Sequence, residues 1–479
     1  MAKTLKEKTA QGLMWGAVNN GTTQLLNFVI GMVLGRLLSP GEYGVVGVLT
    51  IFTIIAGNLQ SSGFTQGLIN LRKPDSRDYN AVFWFNILAS FAIYAVLFCC
   101  APLIAAFFRQ PVLVAVSRVT FLSFVISSFG IAQNAYMLKN MMQREIAISS
   151  VLALVVSGAT GITLAFLGFS YWSLVCQQIL YITVLNMGRY HYSPWRPSWR
   201  FTMQPIRQML GFSVGILLTN ILNTLSQHLL TFIFGRLFPI STVGNFSQAN
   251  KWNTMAHNTI SSTLGQVAQT VLVTVEDERQ RELRVFRKML RFTAFISFPA
   301  LFGLALVARE FILLCLGEQW QGAVANLQVL CIGGAFLPFY TLYQNLAISH
   351  RRSNVYLWCN GMQMAAQLAL VLLLYKEGVM AVVMAYTALN ILWLTVWQAV
   401  ARRLIGLRFR HALLDVLPFL IVALAVMAAT WYSTTWLTGY LPLLLLRIVM
   451  AGGLYFLLMH VARAKILEEC IQAFRHKIN

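Results

Sequence analysis

Lys251 and Arg118 lie inside long apolar stretches of the chain, where a charge is costly. Lys251 falls well inside one such stretch, and Arg118 falls a few residues inside another. An unpaired cation at that depth costs about 2.5–3.5 kcal/mol on membrane-insertion scales. The carboxylates of the chain all fall in predicted loops or at the ends of apolar stretches. We therefore interpret Lys251, and with it Arg118, as sites for an anion that arrives and leaves. Extension of the lysine to the outer surface is the alternative.

Polar residues share the helical face of Lys251. Asn258, Ser262 and Gln266 follow it at intervals of 7, 4 and 4 residues, which places all four on one stripe of a helix. An earlier segment carries the same stripe, with Ile51 in place of the lysine. We interpret the two stripes as the lining of a water-filled cavity, and hydrogen bonds between neighbouring helices are the alternative. The predicted substrate-binding residues are Lys251, Arg118, Asn20, Asn58, Asn220, Asn258, Gln66, Gln266 and His257.

The remaining residues with reactive side chains offer no second chemistry. Arg447, in the last apolar stretch, is expected to extend toward the membrane surface. His228 and His257 could titrate or bind a headgroup, but a satisfied, buried histidine is the expected state of each. The 7 cysteines show no metal-ligand spacing and are interpreted as small core residues. We therefore expect no metal, no cofactor and no catalytic residue, and hence no enzymatic activity.

The polar segments occur twice in the chain, at an offset of 200 residues. The matching residues are Gly35-Arg36-Leu37 with Gly235-Arg236-Leu237, Gly44 with Gly244, Asn20 with Asn220, and Asn58 with Asn258. Two similar halves around a polar centre are typical of a transporter in which a shared cavity opens to each side of the membrane in turn. The four glycines are interpreted as residues of tight turns between helices.

Long apolar helices must position these residues. Of the 479 residues, 58% are hydrophobic and 11% are charged, a composition typical of membrane proteins. Apolar stretches long enough to cross a hydrocarbon core about 30 Å thick recur along the chain. Fourteen are found: 12–35, 43–68, 81–107, 113–138, 147–168, 170–188, 210–235, 243–270, 290–316, 323–348, 355–375, 378–400, 412–432 and 440–462. The sequence predicts an all-α integral membrane protein with about fourteen transmembrane helices, forming two parallel six-helix lobes around a central cavity and two extra C-terminal helices.

The predicted lobes comprise residues 1–203 and 204–403. Residues 404–479 hold the last two transmembrane helices and a cytoplasmic tail. In this tail an apolar stripe at helical spacing predicts an amphipathic helix on the inner membrane surface. Its residues are Ile466, Leu467, Cys470, Ile471 and Phe474. The linker Arg189–Arg207, which joins the lobes and carries Trp195 and Trp199, is expected at the level of the lipid headgroups.

The net charge of +21 is distributed as in a membrane protein and not as in a nucleic-acid-binding protein. When the loops are assigned alternately to the two sides, with the N-terminus inside, 28 of the 36 basic residues fall on the inner side. This asymmetry orients the chain with both termini in the cytoplasm. We expect membrane lipids as partners, and no nucleic acid.

Several motifs resemble those of a known family of membrane proteins. They lie at 35–44, which reads Gly-Arg-Leu-Leu-Ser-Pro-Gly-Glu-Tyr-Gly, and at 62–73, 83–86, 316–320 and 327–331. These motifs are similar to those of bacterial polysaccharide exporters of the multidrug/oligosaccharidyl-lipid/polysaccharide (MOP) superfamily, in the branch with the colanic-acid exporter of the Wzx type. The resemblance implies two six-helix lobes around a central cavity. It also implies that undecaprenyl-diphosphate-linked glycan units move from the inner to the outer leaflet. Family members carry cationic cavity residues, and Lys251 and Arg118 could play that part here.

These observations predict an inner-membrane flippase for lipid-linked oligosaccharides, which serves the assembly of O-antigen, capsule or exopolysaccharide. Its expected partners are the anionic undecaprenyl-diphosphate-linked glycan, membrane lipids, a polysaccharide polymerase and glycosyltransferases. Coupling to protons or sodium ions is left open. The alternative is a small-molecule or drug antiporter of the same superfamily. A membrane glycosyltransferase or polymerase is disfavoured, because the predicted outer loops are short and carry no carboxylate pair.

Overall fold

A computed structural model describes residues 5–71, 74–199, 202–275, 278–462 and 466–469 of the chain. The regular elements in these ranges are helical. In chain order the α-helices are α1 (Leu5–Leu37), α2 (Pro40–Asn70), α3 (Ser76–Phe108), α4 (Leu113–Ser128), α5 (Ile131–Lys139), α6 (Gln143–Phe166), α7 (Trp172–Tyr192), α8 (Gln204–Leu237), α9 (Ile240–Val275), α10 (Arg279–Leu306), α11 (Ala308–Cys315), α12 (Gln321–Gly334), α13 (Leu337–Ser349), α14 (Ser353–Leu374), α15 (Val379–Ile405), α16 (Phe409–Ser433) and α17 (Tyr440–Val461).

The helices of the described ranges confirm a multi-pass membrane protein. Nine segments are long and apolar enough to cross a membrane, with α12 and α13 counted as one, or ten if the pair α4–α5, bent by 45°, also forms one span. The prediction of an all-helical membrane protein is therefore confirmed. Each of the fourteen predicted stretches falls on one helix or on two consecutive helices, although several helices begin earlier than predicted, α10 by eleven residues. The count of fourteen spans stays a prediction.

Three of these stretches are each formed by two helices, and at two of the breaks a side chain from another helix caps the break. Between α4 and α5, Asn186 of α7 donates its amide N–H to the carbonyl of Ile126 at 2.6 Å, and Gly130 leaves room for it. Between α12 and α13, Ser297 of α10 donates its hydroxyl to the carbonyl of Ala335 at 2.7 Å. At a break in a helix, a backbone carbonyl loses the N–H that would normally donate to it. These two side chains supply a hydrogen bond to such a carbonyl, which lipid could not.

Packing divides the chain into two compact units, Met1–Gly244 and Asn245–Asn479, with the boundary inside α9. In the first unit α2 packs along α8, and α6 packs against both α7 and α1. In the second unit α10 packs against α16 and α12, and α14 packs against α15. The predicted lobes 1–203 and 204–403 follow the sequence repeat instead, and they stay a prediction.

The segment before α8 is held against the start of α3. Trp195 is buried, and its indole N–H donates to the hydroxyl of Ser76 at 3.2 Å. The backbone of Ser198 is held twice. Its N–H donates to Oδ1 of Asn80 at 2.8 Å, and its carbonyl accepts from Nε1 of Trp84 at 2.7 Å. The linker is therefore packed into the first unit, and its position at the headgroup level stays a prediction.

Of the predicted amphipathic tail, residues 466–469 are described, and they are helical. Ile466 and Leu467 are buried, and Glu469 forms an ion pair with Lys288 of α10 at 2.6 Å. The apolar side of this turn is therefore covered by protein and not by the membrane surface. The rest of the predicted stripe lies outside the described residues, and the tail helix as a whole stays a prediction.

Four glycines that the sequence predicts in turns lie inside helices instead: Gly35 in α1, Gly44 in α2, Gly235 in α8 and Gly244 in α9. The reversal between α1 and α2 is made by Ser39, which has an ordinary extended backbone. Its hydroxyl accepts the N–H of Glu42 at 3.4 Å, and its own N–H donates to the Glu42 carboxylate at 2.6 Å. This reciprocal cap starts α2 without a glycine. The interpretation of the four glycines as turn residues was wrong.

Candidate functional site

Lys251 lies about three turns into α9 and is partly buried. Its ammonium nitrogen lies 5.4 Å from the ring centroid of Trp252, which is a cation–π distance. In the described part of the chain, no carboxylate lies within ion-pair distance of this nitrogen. An aromatic face compensates a charge less than an anion does. An anion that approached Lys251 would therefore meet a cation that the described residues do not neutralise.

Buried carboxylates of the second unit are paired with other basic side chains. Asp415 of α16 accepts a hydrogen bond from Arg287 of α10 at 2.6 Å and lies 3.5 Å from the guanidinium of Arg291. Glu282 of α10 is buried and lies 2.8 Å from the imidazole of His350. These acids are therefore engaged in holding helices together, which leaves Lys251 without them.

Arg447 of α17 is buried within the second unit, so the expectation that its side chain extends outward was wrong. Its side chain is 8% exposed and lies 3.0 Å from the carboxylate of Glu310, whose side chain is 5% exposed. Its guanidinium also donates to Oγ1 of Thr434 at 3.0 Å and to the carbonyl of Leu306 at 3.3 Å. A charge with this many partners is structural, because it has little capacity left for a ligand.

Beyond Lys251, α9 presents a polar face. Asn258 and Ser262 are exposed, while His257 is partly buried with no hydrogen-bond partner for Nδ1 among the described residues. The expectation that this histidine is satisfied therefore fails at Nδ1. In the predicted fourteen-helix arrangement α9 crosses the membrane, where an exposed amide would be costly against lipid, and such a face is suited to water or to a polar ligand. The side chain of Gln266 lies outside the described residues.

The first unit carries a similar face on α1. Asn20, Gln24 and Asn27 are exposed and spaced by four and three residues, which places them on one side of the helix. Asn58 of α2 behaves differently, because its amide donates to the hydroxyl of Thr224 on α8 at 2.7 Å. Asn58 is therefore bonded between helices, which matches the alternative interpretation for that residue. The side chains of 66 and 220, two further predicted ligands, lie outside the described residues.

Arg118 of α4 lies in the first unit, with its guanidinium carbon 4.2 Å from the ring centroid of Phe98 on α3. Its Nε is buried and has no hydrogen-bond partner among the described residues. The ring face stabilises the cation in part, and the guanidinium retains donors for an anion. Arg118 and Lys251 belong to different units, and each is described with its own neighbours.

Each unit also contains an apolar cavity large enough for part of a hydrocarbon chain. The first, of about 340 Å³, lies between α2 and α3 and is lined by Phe52, Ile55, Ala56, Leu59, Ala92, Ile93, Val96 and Leu97. The second, of about 320 Å³, lies between α10, α16 and α17, with Pro299, Met427 and Tyr455 in its wall. Both cavities are suited to a lipid tail and not to a sugar, because their walls are almost wholly apolar.

The sequence did not reveal the pairing of Glu310 with Arg447 or of Glu282 with His350, because each pair joins helices far apart in the chain. The sequence did carry a signal for the cluster of Asp415 with two arginines. Arg287 and Arg291 are four residues apart and therefore share one helical face, where a common acid could be sought.

The chain matches the model of a protein family described as polysaccharide biosynthesis protein, over residues 33–325. It is 25% identical over 341 residues to the lipopolysaccharide biosynthesis protein WzxC of Escherichia coli strain K12, which covers 69% of this chain and 68% of that protein.

Two solved structures share the fold. The lipid II flippase MurJ, in an inward closed conformation, superposes with a TM-score of 0.78 at 11% identity, over 95% of this chain and all of MurJ. An inward-facing multidrug-resistance MATE transporter of the MOP superfamily superposes with a TM-score of 0.61 at 13% identity, over 86% of this chain and 96% of that one. At such low identities these likenesses show the fold alone.

Proposed function

The chain belongs to the family of polysaccharide biosynthesis proteins, and on that premise we propose that it is a flippase for lipid-linked oligosaccharides. It moves undecaprenyl-diphosphate-linked repeat units from the cytoplasmic to the periplasmic leaflet, for the assembly of a surface polysaccharide. The family match, the similarity to WzxC and the fold shared with a lipid II flippase support this proposal. The step is transport, with no bond made or broken.

The finer architecture belongs to the same proposal. The protein lies in the bacterial inner membrane with both termini in the cytoplasm, as the basic loops favour. Fourteen transmembrane helices form two parallel six-helix lobes around a central cavity, followed by α16 and α17. Movement of the lobes exposes the cavity first to the cytoplasm and then to the periplasm.

One observation carries the proposal at the level of residues: Lys251 is a partly buried cation without a carboxylate partner in the described chain. In our proposal the diphosphate binds there, with Arg118 as a second cation. The polar faces of α1 and α9, including Asn20, Asn258 and His257, hydrogen-bond the sugars. The lipid tail stays in the bilayer, and the apolar cavity beside α16 and α17 is suited to guide it.

The energy source and the partners are also proposals. Transport runs without a bound cofactor and is driven by the substrate gradient, or by protons or sodium ions. Glycosyltransferases on the cytoplasmic side supply the lipid-linked unit, and a polymerase on the periplasmic side consumes it.

The experiment measures lipid-linked repeat units in cells that lack this protein. We expect them to accumulate in the inner leaflet, to be cleared by the wild-type protein, and to persist with Lys251→Gln. Lys251→Arg should restore part of the transport, since it retains the charge. The matched control is Lys376→Gln, at an exposed lysine two residues beyond the end of α14, which should clear the lipid as well as wild type. Full clearance by Lys251→Gln would remove the anion site, and absence of accumulation in the deletion strain would remove the function.

The second candidate is a small-molecule antiporter, because the fold is shared with a multidrug transporter. Overexpression would then raise resistance to cationic drugs, and deletion would leave surface polysaccharide intact. Drug sensitivity and polysaccharide content, measured in the same strains, separate the two functions.

A further inference from the structure

The first turns of α2 and α9 touch through their backbones, and both lie in the first unit. A Cβ atom added to Gly44 would clash with the backbone carbonyl of Ile240, and would come within 2.9 Å of its carbon. A Cβ atom added to Gly244 would clash with the carbonyl of Pro40, and would come within 2.6 Å of its carbon. Both glycines are therefore required for this approach of the two helices, since any side chain would separate them.

The contact is reciprocal, and it follows the sequence repeat. Pro40 and Ile240 are the first residues of their helices, and Gly44 and Gly244 are the fifth. In each helix the fifth residue therefore meets the carbonyl of the first residue of the other. Equivalent positions that contact each other in this exchange are the signature of a two-fold interface. The repeated Gly44 and Gly244 thus have a common purpose, which is to let the two helix starts meet.

Further contacts continue below this point, between α2 and α8. A Cβ atom on Gly235 would lie 2.6 Å from Val48 and 2.7 Å from the ring of Phe108. Phe52 of α2 then packs against Phe232 of α8, with ring centroids 6.1 Å apart. Val48 and Phe52 follow Gly44 along α2 at intervals of four residues, and so the three residues lie on one face of the helix.

The hydrogen bond from Asn58 to Thr224 follows at 2.7 Å. Asn58 lies 14 residues beyond Gly44, which is about 21 Å along α2 at the rise of an α-helix. The two repeats are therefore in contact along about 21 Å of α2, from Gly44 to Asn58. This length is more than half the thickness of the hydrocarbon core of a membrane. In the predicted topology this end of α2 faces the periplasm.

We propose that the reciprocal contact of Gly44 and Gly244 is the outer gate of the transporter. This inference rests on the proposed transport function and adds the residues that close the periplasmic side. The gate is closed while the substrate site is open to the cytoplasm, and the first turn of α9 leaves α2 when the site opens outward. At the two glycines the contact is between backbones, so no large side chain has to repack there when the two helix starts separate.

The first test prevents closure. Gly44→Ala and Gly244→Ala each place a methyl group against a carbonyl, and so they should destabilise the closed gate. Gly41→Ala is the matched control on the same helix, because its nearest neighbour would be the Ser39 hydroxyl at 3.9 Å. The reporter is Val48→Cys in a protein without other cysteines, since Val48 is fully buried below the contact.

Labelling of this cysteine by a membrane-impermeant maleimide from outside should speed up at least about tenfold with either alanine, since the rate follows the population of the open gate. With Gly41→Ala it should stay as slow as in the parent. Unchanged labelling with both alanine variants would overturn the gate. This readout needs no substrate, so a strain that accumulates no lipid-linked glycan would overturn the flippase while leaving the gate in place.

The second test prevents opening and avoids any clash in the closed state. Cysteines in place of Gly41 and Ser241, next to the two contacting carbonyls, are joined from outside by a short cleavable dithiol-reactive linker. Transport should stop when they are joined and recover when the linker is cleaved. Continued transport with the linker in place would show that the helix starts need not separate, which would also overturn the gate.

Discussion

Replacing Glu310 by glutamine removes one charge of a buried ion pair and keeps its shape. The carboxylate and the Arg447 guanidinium are 3.0 Å apart, which corresponds to about 5.5 kcal/mol of attraction at an effective dielectric constant of 20. Arg447 keeps its bonds to Thr434 and to the carbonyl of Leu306, so the loss should fall at the lower end of the range for broken buried pairs, about 3 kcal/mol. For a unit of 235 residues, 245–479, this corresponds to a fall of roughly 6–12 °C in Tm.

The assay heats purified protein in detergent and measures the fraction that remains monodisperse by size-exclusion chromatography. Glu318→Gln is the matched control, because that carboxylate is exposed and should change stability by less than about 0.5 kcal/mol. The double variant Glu310→Gln with Arg447→Leu should regain most of the lost Tm, because it leaves no uncompensated charge. If Glu310→Gln melts at the same temperature as the control, or if the double variant is the least stable, the attraction between Glu310 and Arg447 does not stabilise the second unit as described.

Two further changes test contacts between helices. Asp415→Asn should lower the free energy of unfolding by about 2 kcal/mol, which is less than the loss for Glu310→Gln. The loss is smaller because the side chains of Arg287 and Arg291 are 33% and 35% exposed, so water screens their charges. A larger fall in Tm than that of Glu310→Gln would contradict this ranking. Asn58→Ala and Thr224→Val should show a coupling of about 1 kcal/mol in a double-mutant cycle. Strictly additive losses in the same heating assay would show that their hydrogen bond contributes nothing.

The sequence was informative where composition decides the structure. Apolar stretches of sufficient length specified the helices, since a membrane span has few alternatives. The repeat identified Gly44 and Gly244 as equivalent, but their purpose depends on a contact between residues 200 positions apart. Local rules for glycine favour turns, and the cap formed by Ser39 and Glu42 made that rule inapplicable here.

The candidate site could be predicted only in part, because the sequence does not show which side chains from distant helices come into contact. The cost of an isolated charge singled out Lys251 as a ligand site and led us to expect Arg447 at the membrane surface, because sequence does not show which cation finds an acid. Only the packing of α11 against α17 brings Glu310 to Arg447. Likewise, Asn20 and Asn58 have the same side chain, yet one is exposed and the other is bonded to Thr224.

The contacts that hold Ser198 to α3 limit a distance elsewhere in the molecule. From Ser198 to Gln204, where α8 begins, the chain advances six residues. Fully extended, six residues reach about 20 Å. The start of α8 therefore stays within that radius of α3 for as long as Asn80 and Trp84 hold Ser198 in place. On the side of the membrane where this linker lies, its length sets the greatest width to which an entrance between α3 and α8 can open.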